Sequence, residues 1–236
     1  MALLATGDIH SPRFLPLLRE ALAGAGEAPC LLLLAGDVVD RGRAEMVEPV
    51  VRLIEQRLPG VPIAAVYGNE EYEESRPALL RLTRGRVAWL DDEYRVWDCP
   101  SGSVAVVGTT GALDRLTRWQ RRHRPELARV YRERPRVVGE LIGRARREAD
   151  RVVLLSHYGL ARATLKGEDP RVWPELYSSA MERLLARARP DAAVHGHAHR
   201  GTPRAVVAGV PVYNVALPLN RRLVAVRARR GLEGFL

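Results

Sequence analysis

The chain has 236 residues, of which 47% are hydrophobic and 28% are charged. These proportions are typical of folded globular proteins and exclude a disordered or fibrous chain. Basic residues outnumber acidic ones by 37 to 28, and every basic residue except Lys166 is an arginine. This excess favours phosphate-bearing partners, because guanidinium groups bind phosphate oxygens in pairs, although a GC-rich genome gives the same composition. The low content of Asn and Gln and the 16 prolines fit a thermophile.

Apolar runs and cysteines limit the cellular context. The longest runs, such as Cys30–Ala35, are far shorter than the ~18 residues of a membrane-spanning helix. No basic flank precedes the first apolar residues, so we expect a cytoplasmic protein with no cleaved signal and no membrane partner. Cys30 and Cys99 are too few for a disulfide framework or a four-cysteine zinc site. A single bridge between them is possible but is not the favoured interpretation.

Strand and helix patterns alternate three times in the first third of the chain. Three apolar runs predict strands: Ala2–Thr6, Cys30–Ala35 and Ile63–Tyr67. Each precedes a stretch with apolar residues at helical spacing: Phe14–Ala23, Glu45–Arg57 and Pro77–Thr83. Repeated strand–loop–helix units predict a parallel sheet, and runs without alternation predict that both of its faces are buried.

The pattern changes after residue 85. Three short runs suggest a meander: Arg86–Leu90, Tyr94–Asp98 and Ser103–Val107. The segment 113–150 is helical in pattern and has 12 arginines against six acidic residues, so it carries a large part of the net charge. Later segments predict five strands and one helix: Arg151–Ser156, Ser179–Arg189 (the helix), Asp191–Val194, Arg204–Ala208, Val210–Val215 and Leu223–Arg227. We therefore expect one domain, 1–236, with a basic helical excursion at about 113–150.

Polar residues follow the carboxyl ends of five predicted strands, and five of the six histidines lie there. In α/β sheets ligands bind beyond these strand ends, so the five loops are expected to form one site. The candidate metal ligands combine two carboxylates, an amide and four imidazoles: Asp8, His10, Asp37, Asn69, His157, His197 and His199. This mixed set suits Mn²⁺, Fe, Zn²⁺, Co²⁺ or Ni²⁺ better than Ca²⁺. It exceeds the needs of one ion and fits two metals that hold a hydroxide nucleophile for attack on phosphate.

The order of these motifs resembles the calcineurin-like metallophosphoesterase superfamily. The motifs are Asp-x-His, Gly-Asp-x-x-Asp-Arg-Gly, Gly-Asn-x-Glu, an isolated His and Gly-His-x-His, spread from Asp8 to His199. The resemblance implies an α/β fold, a four-layer αββα sandwich with two mixed sheets flanked by helices. It implies two divalent ions, Mn²⁺ being the first expectation, and hydrolysis of phosphate esters. By the same resemblance, one metal is bound by Asp8, His10 and His199, the other by Asn69, His157 and His197, and Asp37 bridges the two.

The chain departs from the superfamily pattern at Glu70. Relatives usually carry there a catalytic histidine that protonates the leaving alkoxide, and some small members carry cysteine and still cleave phosphodiesters. A glutamate acts as an acid only if its pKa is raised, whereas neighbouring divalent ions would lower that pKa. We therefore predict a phosphodiesterase more than a monoesterase, with Asp37 and Glu70 as catalytic residues and Glu70 in an altered role.

Substrate contacts are predicted at Arg41, Asn69 and Tyr158. Arg41 can orient phosphate, but pairing with Asp40 is an equal expectation. The histidine at 195 is expected to support the core, and Asn214 to fix backbone in a turn.

Two alternative functions stay open, and a nucleotide is one candidate for the phosphate-ester substrate. The first alternative is a nuclease, in which Trp119, Arg121 and Arg122 of the basic excursion contact DNA or RNA. An ordinary solvated helix face explains the same residues. The second is a catalytically weak metal-binding scaffold that recruits partners, which the glutamate at position 70 motivates.

Overall fold

Two β-sheets packed face to face form the centre of the molecule. The computed structural model describes residues 3–26 and 29–228, and within these ranges the first sheet has the strand order β11-β1-β2-β3-β4. Its strands are β1 (Leu3–Thr6), β2 (Leu31–Leu34), β3 (Ile63–Val66), β4 (Ala88–Leu90) and β11 (Val224–Val226). Strands β1 to β4 are parallel, whereas β11 runs antiparallel to β1. The all-apolar sequences of β2 and β3 are buried on both faces, as predicted.

The second sheet has six strands in the order β5-β6-β7-β8-β10-β9. They are β5 (Glu93–Cys99), β6 (Gly102–Thr109), β7 (Arg151–Ser156), β8 (Ala192–His195), β9 (Arg204–Val207) and β10 (Val210–Asn214). The four inner strands are parallel to one another, and the edge strands β5 and β9 pair antiparallel to their neighbours. Both sheets are therefore mixed.

Helices cover the outer face of each sheet. They are α1 (Leu15–Ala23), α2 (Val47–Arg57), α3 (Arg76–Leu82), α4 (Arg118–His123), α5 (Leu127–Ala145), α6 (Ser179–Ala188) and α7 (Leu217–Asn220). The apolar stripes of α1 and α2 pack on the first sheet, and those of α5 and α6 pack on the second. Between the sheets, Leu33 and Val66 pack with Val106 and Leu155. The predicted four-layer αββα sandwich is confirmed. No helix of the described ranges has the length and apolar content needed to cross a bilayer.

Two details differ from the sequence-based expectations. The predicted meander is wrong, because β4 pairs with β3 in the first sheet while β5 pairs with β6 in the second. Much of the segment 113–150 is the outer-layer helix α5, whose Tyr131, Val138 and Ile142 are buried against the second sheet. Ala2, the predicted start of the first strand, lies outside the described residues.

A disulfide joins the two sheets, which corrects the expectation of two free thiols. Cys30 precedes β2 in the first sheet and Cys99 ends β5 in the second, and their Cα atoms are 5.6 Å apart. The two cysteines are 69 positions apart in the sequence, and the segment between them forms part of both sheets. The bridge therefore depends on the stacking of the sheets, which local sequence patterns do not reveal.

Candidate metal centre

The predicted ligands meet at the place where the carboxyl ends of the parallel strands of both sheets lie side by side. The first sheet contributes loops after β1, β2 and β3, and the second contributes loops after β7 and β8. These loops carry all seven predicted ligands: Asp8, His10, Asp37, Asn69, His157, His197 and His199. Asp8 is fully buried and Asp37 is almost so, whereas Asn69 and His199 reach the surface. The ligands converge because the strands before these loops are parallel within each sheet, so their carboxyl ends lie on one side.

One group of donors lies around Asp8. Donor atoms of Asp8, His10 and His199 all lie within 4.8 Å of one another, a spacing that could hold one metal ion. His199 Nε2 is 3.0 Å from Asp8 Oδ1, and the backbone N–H of His197 donates to the same carboxylate at 2.9 Å. Asp8 therefore fixes the loop that carries both later histidines.

A second group lies around Asp37. Donor atoms of Asp37, His157 and His197 meet the same 4.8 Å spacing. His157 Nε2 is 3.0 Å from Asn69 Oδ1, which brings the amide to this group. Asp37 Oδ2 lies 3.6 Å from His157 Nε2 and also 3.6 Å from His10 Nε2 of the first group. One carboxylate oxygen thus faces both groups, which is the arrangement that two cations sharing a ligand require.

The backbone at the centre adopts conformations that side-chain-bearing residues seldom take. Asp8, His10, Asp37 and His197 all have positive φ angles, between 43° and 68°. Such positions cost on the order of 1–3 kcal/mol each and concentrate at functional sites. Here they turn the chain sharply after each strand, so that the side chains point to a common centre.

Two glycines leave room for the carboxylates of Asp37 and Asp8. A Cβ atom at Gly68 would collide with the Asp37 carboxylate, and one at Gly196 would collide with the carboxylate of Asp8. Both glycines are therefore required by close packing against the central acids. The glycines beside the predicted ligands were visible in the sequence, but this contact was not.

Burial keeps the imidazoles of His10, His157 and His197 neutral, whereas the pKa of His199 is raised, because its hydrogen bond to Asp8 outweighs its burial. Burial lowers the pKa of His10 to about 4 and that of His197 to about 3, and it lowers the pKa of His157 as well. Neutral imidazole is the form that binds metal ions. Burial also acts to raise the pKa of Asp8, but the hydrogen bond with His199 and the nearby histidines lower it to about 2. The first group thus combines the anionic carboxylate of Asp8 with the neutral imidazole of His10 at neutral pH.

The centre fits divalent cations on two observations. Burial, together with the charges of Glu71 and Asp8, raises the pKa of Asp37 well above its ordinary value. His10 Nε2 is buried and has no hydrogen-bond partner, although it faces Asp37 Oδ2. A cation between them would supply both the missing charge and the missing partner.

Glu71 is a buried part of the centre that the sequence analysis did not single out. Its carboxylate accepts hydrogen bonds from the backbone N–H groups of Asp37 at 2.9 Å, Val39 at 2.9 Å and Gly68 at 2.7 Å. Burial raises the pKa of Glu71 to about 7, although these hydrogen bonds act to lower that pKa. The signal for this residue was present in the sequence, since Glu71 is the last residue of the Gly-Asn-x-Glu motif.

The glutamate at position 70 is turned toward a neighbouring loop. Glu70 Oε2 accepts the backbone N–H of Arg41 at 2.8 Å, and Oε1 accepts from the Asn69 amide at 3.2 Å. Its own N–H donates to Asp37 Oδ1 at 2.8 Å. The side chain therefore braces the loop after β2, and its predicted catalytic role stays a prediction.

The other predicted contacts differ in their access to a substrate. The Arg41 side chain pairs with Asp40, its Nε lying 3.9 Å from Asp40 Oδ2, and it is 81% exposed, so solvent and a phosphate can still reach it. Tyr158 is only 3% exposed and packs behind His197, with ring centroids 5.0 Å apart. Its hydroxyl lies 3.3 Å from the Gln120 amide nitrogen. This burial argues against the predicted contact of Tyr158 with substrate.

Two residues support the loop after β8, as expected from the sequence. His195 is fully buried, with Nε2 2.8 Å from Thr164 Oγ1 and Nδ1 2.8 Å from the carbonyl oxygen of Gly196. The Asn214 amide donates to the carbonyl oxygen of Ala198 at 2.8 Å. The His195 contacts hold the backbone before His197, and the Asn214 contact holds Ala198, which lies between the candidate ligands His197 and His199.

A family model described as calcineurin-like phosphoesterase matches residues 1–201, which include every candidate ligand. The chain belongs to the calcineurin-like phosphoesterase family. Members of this family typically bind two divalent metals, in agreement with the two groups of donors. Family and geometry together support a metal-dependent phosphoesterase. A search of curated proteins found no sequence that matches the chain.

Solved structures share the fold at low sequence identity. Phosphopantetheinyl hydrolase from Mycobacterium tuberculosis has a TM-score of 0.69 and 18% identity, over 97% of this chain and 96% of that protein. Sulfate thiohydrolase SoxB from Thermus thermophilus has a TM-score of 0.52 and 24% identity, over 86% of this chain and 37% of that one. A 5'-nucleotidase precursor, also from Thermus thermophilus, has a TM-score of 0.50 and 19% identity, over 91% of this chain and 48% of that one. These likenesses establish the fold alone.

Proposed function

We propose that this family member hydrolyses phosphate esters with two divalent cations and prefers phosphodiesters. The observation that carries the proposal is the position of Asp37 Oδ2, 3.6 Å from both His10 Nε2 and His157 Nε2. An oxygen shared by two donor groups suits a pair of metals better than two independent sites. Such a pair, when bound, activates water as the nucleophile and neutralises the phosphate oxygens.

The residues of the chain would divide the remaining tasks. Asp8, His10 and His199 are proposed to hold one cation, and Asn69, His157 and His197 the other, with Asp37 shared between them. Because burial keeps His10, His157 and His197 neutral, these three are ready to bind metal without first losing a proton. Arg41, exposed at the rim, is proposed to bind a phosphate oxygen of the substrate.

The preference for diesters follows from the glutamate at position 70. Its carboxyl group contacts the Asn69 amide, a proposed metal ligand, and so lies beside the place where phosphate would bind. A carboxylate there repels a doubly charged monoester more than a singly charged diester. It also cannot replace the histidine of relatives as a proton donor, since its oxygens already accept hydrogen bonds from Arg41 and Asn69.

The experiment is a hydrolysis assay on metal-stripped protein reloaded with one ion at a time. Mn²⁺ is the first ion, followed by Fe²⁺, Zn²⁺, Co²⁺ and Ni²⁺. Substrates are an activated aryl diester, the matching aryl monoester, a nucleotide and a phosphopantetheinyl compound, the last because a hydrolase of similar fold is named for that group. We expect turnover of the aryl diester to exceed that of the monoester.

Asp37→Asn tests the shared oxygen, and Asp98→Asn, exposed on edge strand β5, is the matched control. The Asp37 variant should lose both hydrolysis and the binding of a second Mn²⁺, measured by titration calorimetry, while the control keeps both. Full activity in Asp37→Asn would refute the proposal. Two bound metals without turnover of any substrate would instead favour the scaffold alternative.

A further inference from the structure

Helix α4 presents an aromatic and basic face to solvent. Trp119 is 60% exposed, and its ring stacks on that of His123 with centroids 5.0 Å apart and an interplanar angle of 29°. The backbone carbonyl of Trp119 lies 3.0 Å from His123 Nδ1, which fixes the second ring. Arg118 and Arg122 stand one turn apart on the adjoining part of the same face. We call Arg118, Trp119, Arg122 and His123 the α4 surface.

The two arginines of the α4 surface are available to bind a ligand, whereas the neighbouring arginines already have partners within the chain. Arg115 pairs with Glu175, and Arg124 pairs with Glu73 and Glu126. Arg121 donates to the backbone carbonyl of Leu116. Within residues 3–26 and 29–228, no ion pair engages Arg118 or Arg122. Their charges therefore remain uncompensated beside an exposed indole ring.

Helix α4 contacts two segments that adjoin candidate metal ligands. On the buried side of α4, the Gln120 amide donates toward the hydroxyl of Tyr158, which packs against His197. At the carboxyl end, Arg124 Nη2 lies 2.9 Å from Glu73 Oε1, three residues after Glu70. The helix is thus tied to loops of both sheets that supply ligands.

We infer that the α4 surface binds single-stranded nucleic acid. Exposed aromatic rings stack on bases of any sequence, and adjacent arginines neutralise the backbone phosphates. A duplex keeps its bases stacked inside, so the rings favour a single strand. A strand is favoured over a base-free polyanion because half of the surface is aromatic. This binding goes beyond the proposed hydrolysis and does not require it.

The test measures binding without metals. Fluorescence anisotropy of a labelled oligothymidine strand is recorded for the full chain in chelator, over a series of salt concentrations. Trp119→Ala should bind about tenfold more weakly, whereas Trp119→Phe should keep most of the affinity. Arg118→Ala/Arg122→Ala should also bind more weakly. In this double variant, the plot of log affinity against log salt concentration should be less steep by about 1.4, as expected for the loss of two phosphate contacts on a single strand.

Matched controls separate this surface from general charge. Val206→Ala, 63% exposed on edge strand β9, and Arg187→Ala, exposed on α6, should bind as the unaltered chain does. Heparin, a polyanion without bases, should bind Trp119→Ala as well as the unaltered chain. Unchanged strand binding by Trp119→Ala, or equal affinity for a duplex, overturns the inference. Loss of aryl diester hydrolysis in the separate assay concerns only the proposed function, since no divalent ion is present here.

Discussion

The Glu71 carboxylate accepts a hydrogen bond from the backbone N–H of Asp37 at 2.9 Å. Two further backbone N–H groups, from Val39 and Gly68, donate to the same carboxylate. Glu71 is 1% exposed, so these groups have no access to solvent. Three donors from two loops therefore converge on one acceptor, which fixes the loop of Asp37 relative to the loop of Asn69.

Glu71→Gln should destabilise the protein and weaken its binding of Mn²⁺. An amide has one acceptor oxygen in place of two, and its NH₂ group faces buried donors, so at least one backbone N–H loses its partner. We expect the free energy of unfolding to fall by about 1–3 kcal/mol, measured by urea denaturation without metal. Mn²⁺ affinity should fall as well, because Asp37 is no longer held in place.

Glu74→Gln is the matched control, since Glu74 is exposed on the short helical turn Glu73–Ser75. It should change neither quantity beyond about 0.5 kcal/mol. Equal stability and equal Mn²⁺ affinity for Glu71→Gln and Glu74→Gln would show that Glu71 does not organise the site.

Local patterns predicted the parts of the fold that are encoded locally. The apolar runs of β2 and β3 could be recognised because strands buried on both faces need apolar residues throughout. The ligands were found because their polar types stand directly after such runs, as with Asp37 after β2. Their separation into two groups, by contrast, came from the family resemblance.

Long-range pairing was not accessible in the same way. The runs that became β4 and β5 are short and are joined by a tight turn at Asp91–Asp92, which is typical of a hairpin. The positive φ of Asp92 instead directs the chain from one sheet to the other. The Gly-Asn-x-Glu motif marks Glu71 but does not reveal which backbone groups it binds. These hydrogen bonds and the disulfide of Cys30 join residues that are distant in sequence, so local patterns do not predict them.

Glu70→His should raise hydrolysis of the aryl monoester relative to the aryl diester. Histidine removes a carboxylate beside the proposed phosphate position and supplies an imidazole that can protonate the leaving oxygen. General acid catalysis contributes about 10²- to 10⁴-fold, so we expect the ratio of monoester to diester kcat/KM to rise by about tenfold or more.

Glu70→Gln separates the two effects of that substitution. The amide oxygen can still accept the N–H of Arg41, while the negative charge is lost. If charge alone limits monoesters, both variants gain the activity, and if a proton donor is needed, only Glu70→His gains it. No gain in either variant would contradict the assignment of Glu70 as the residue that limits monoester cleavage.

His195 should make the metal-free protein sensitive to acid. Burial lowers the pKa of His195 to about 4, from an ordinary value of 6.5. Below pH 6.5 the unfolded chain binds a proton there that the folded chain does not bind until the pH nears 4. The stability from neutral His195 is therefore fully present above pH 6.5 and is lost as the pH falls toward 4.

His195→Gln removes this titration. From about pH 7.5 to about pH 5, the free energy of unfolding of the unaltered chain should decrease partly because of this titration. The decrease for His195→Gln over the same range should be smaller by about 2 kcal/mol. His123→Gln, on the exposed face of α4, should keep the slope of the unaltered chain. Parallel slopes for all three proteins in urea denaturation would rule out His195 as the source.

The disulfide between Cys30 and Cys99 should contribute strongly to stability. It closes a loop between two residues 69 positions apart and ties the first sheet to the second. In the chain-entropy description, a loop of this length restricts the unfolded chain by about 4 kcal/mol. Cys30→Ala/Cys99→Ala should therefore unfold at a lower urea concentration than the oxidised protein. The unaltered chain in reducing agent should match the double variant, because both lack only the crosslink.

Two free thiols in the purified native protein, or equal stability of the oxidised protein and the variant, would mean that the bridge does not support the fold.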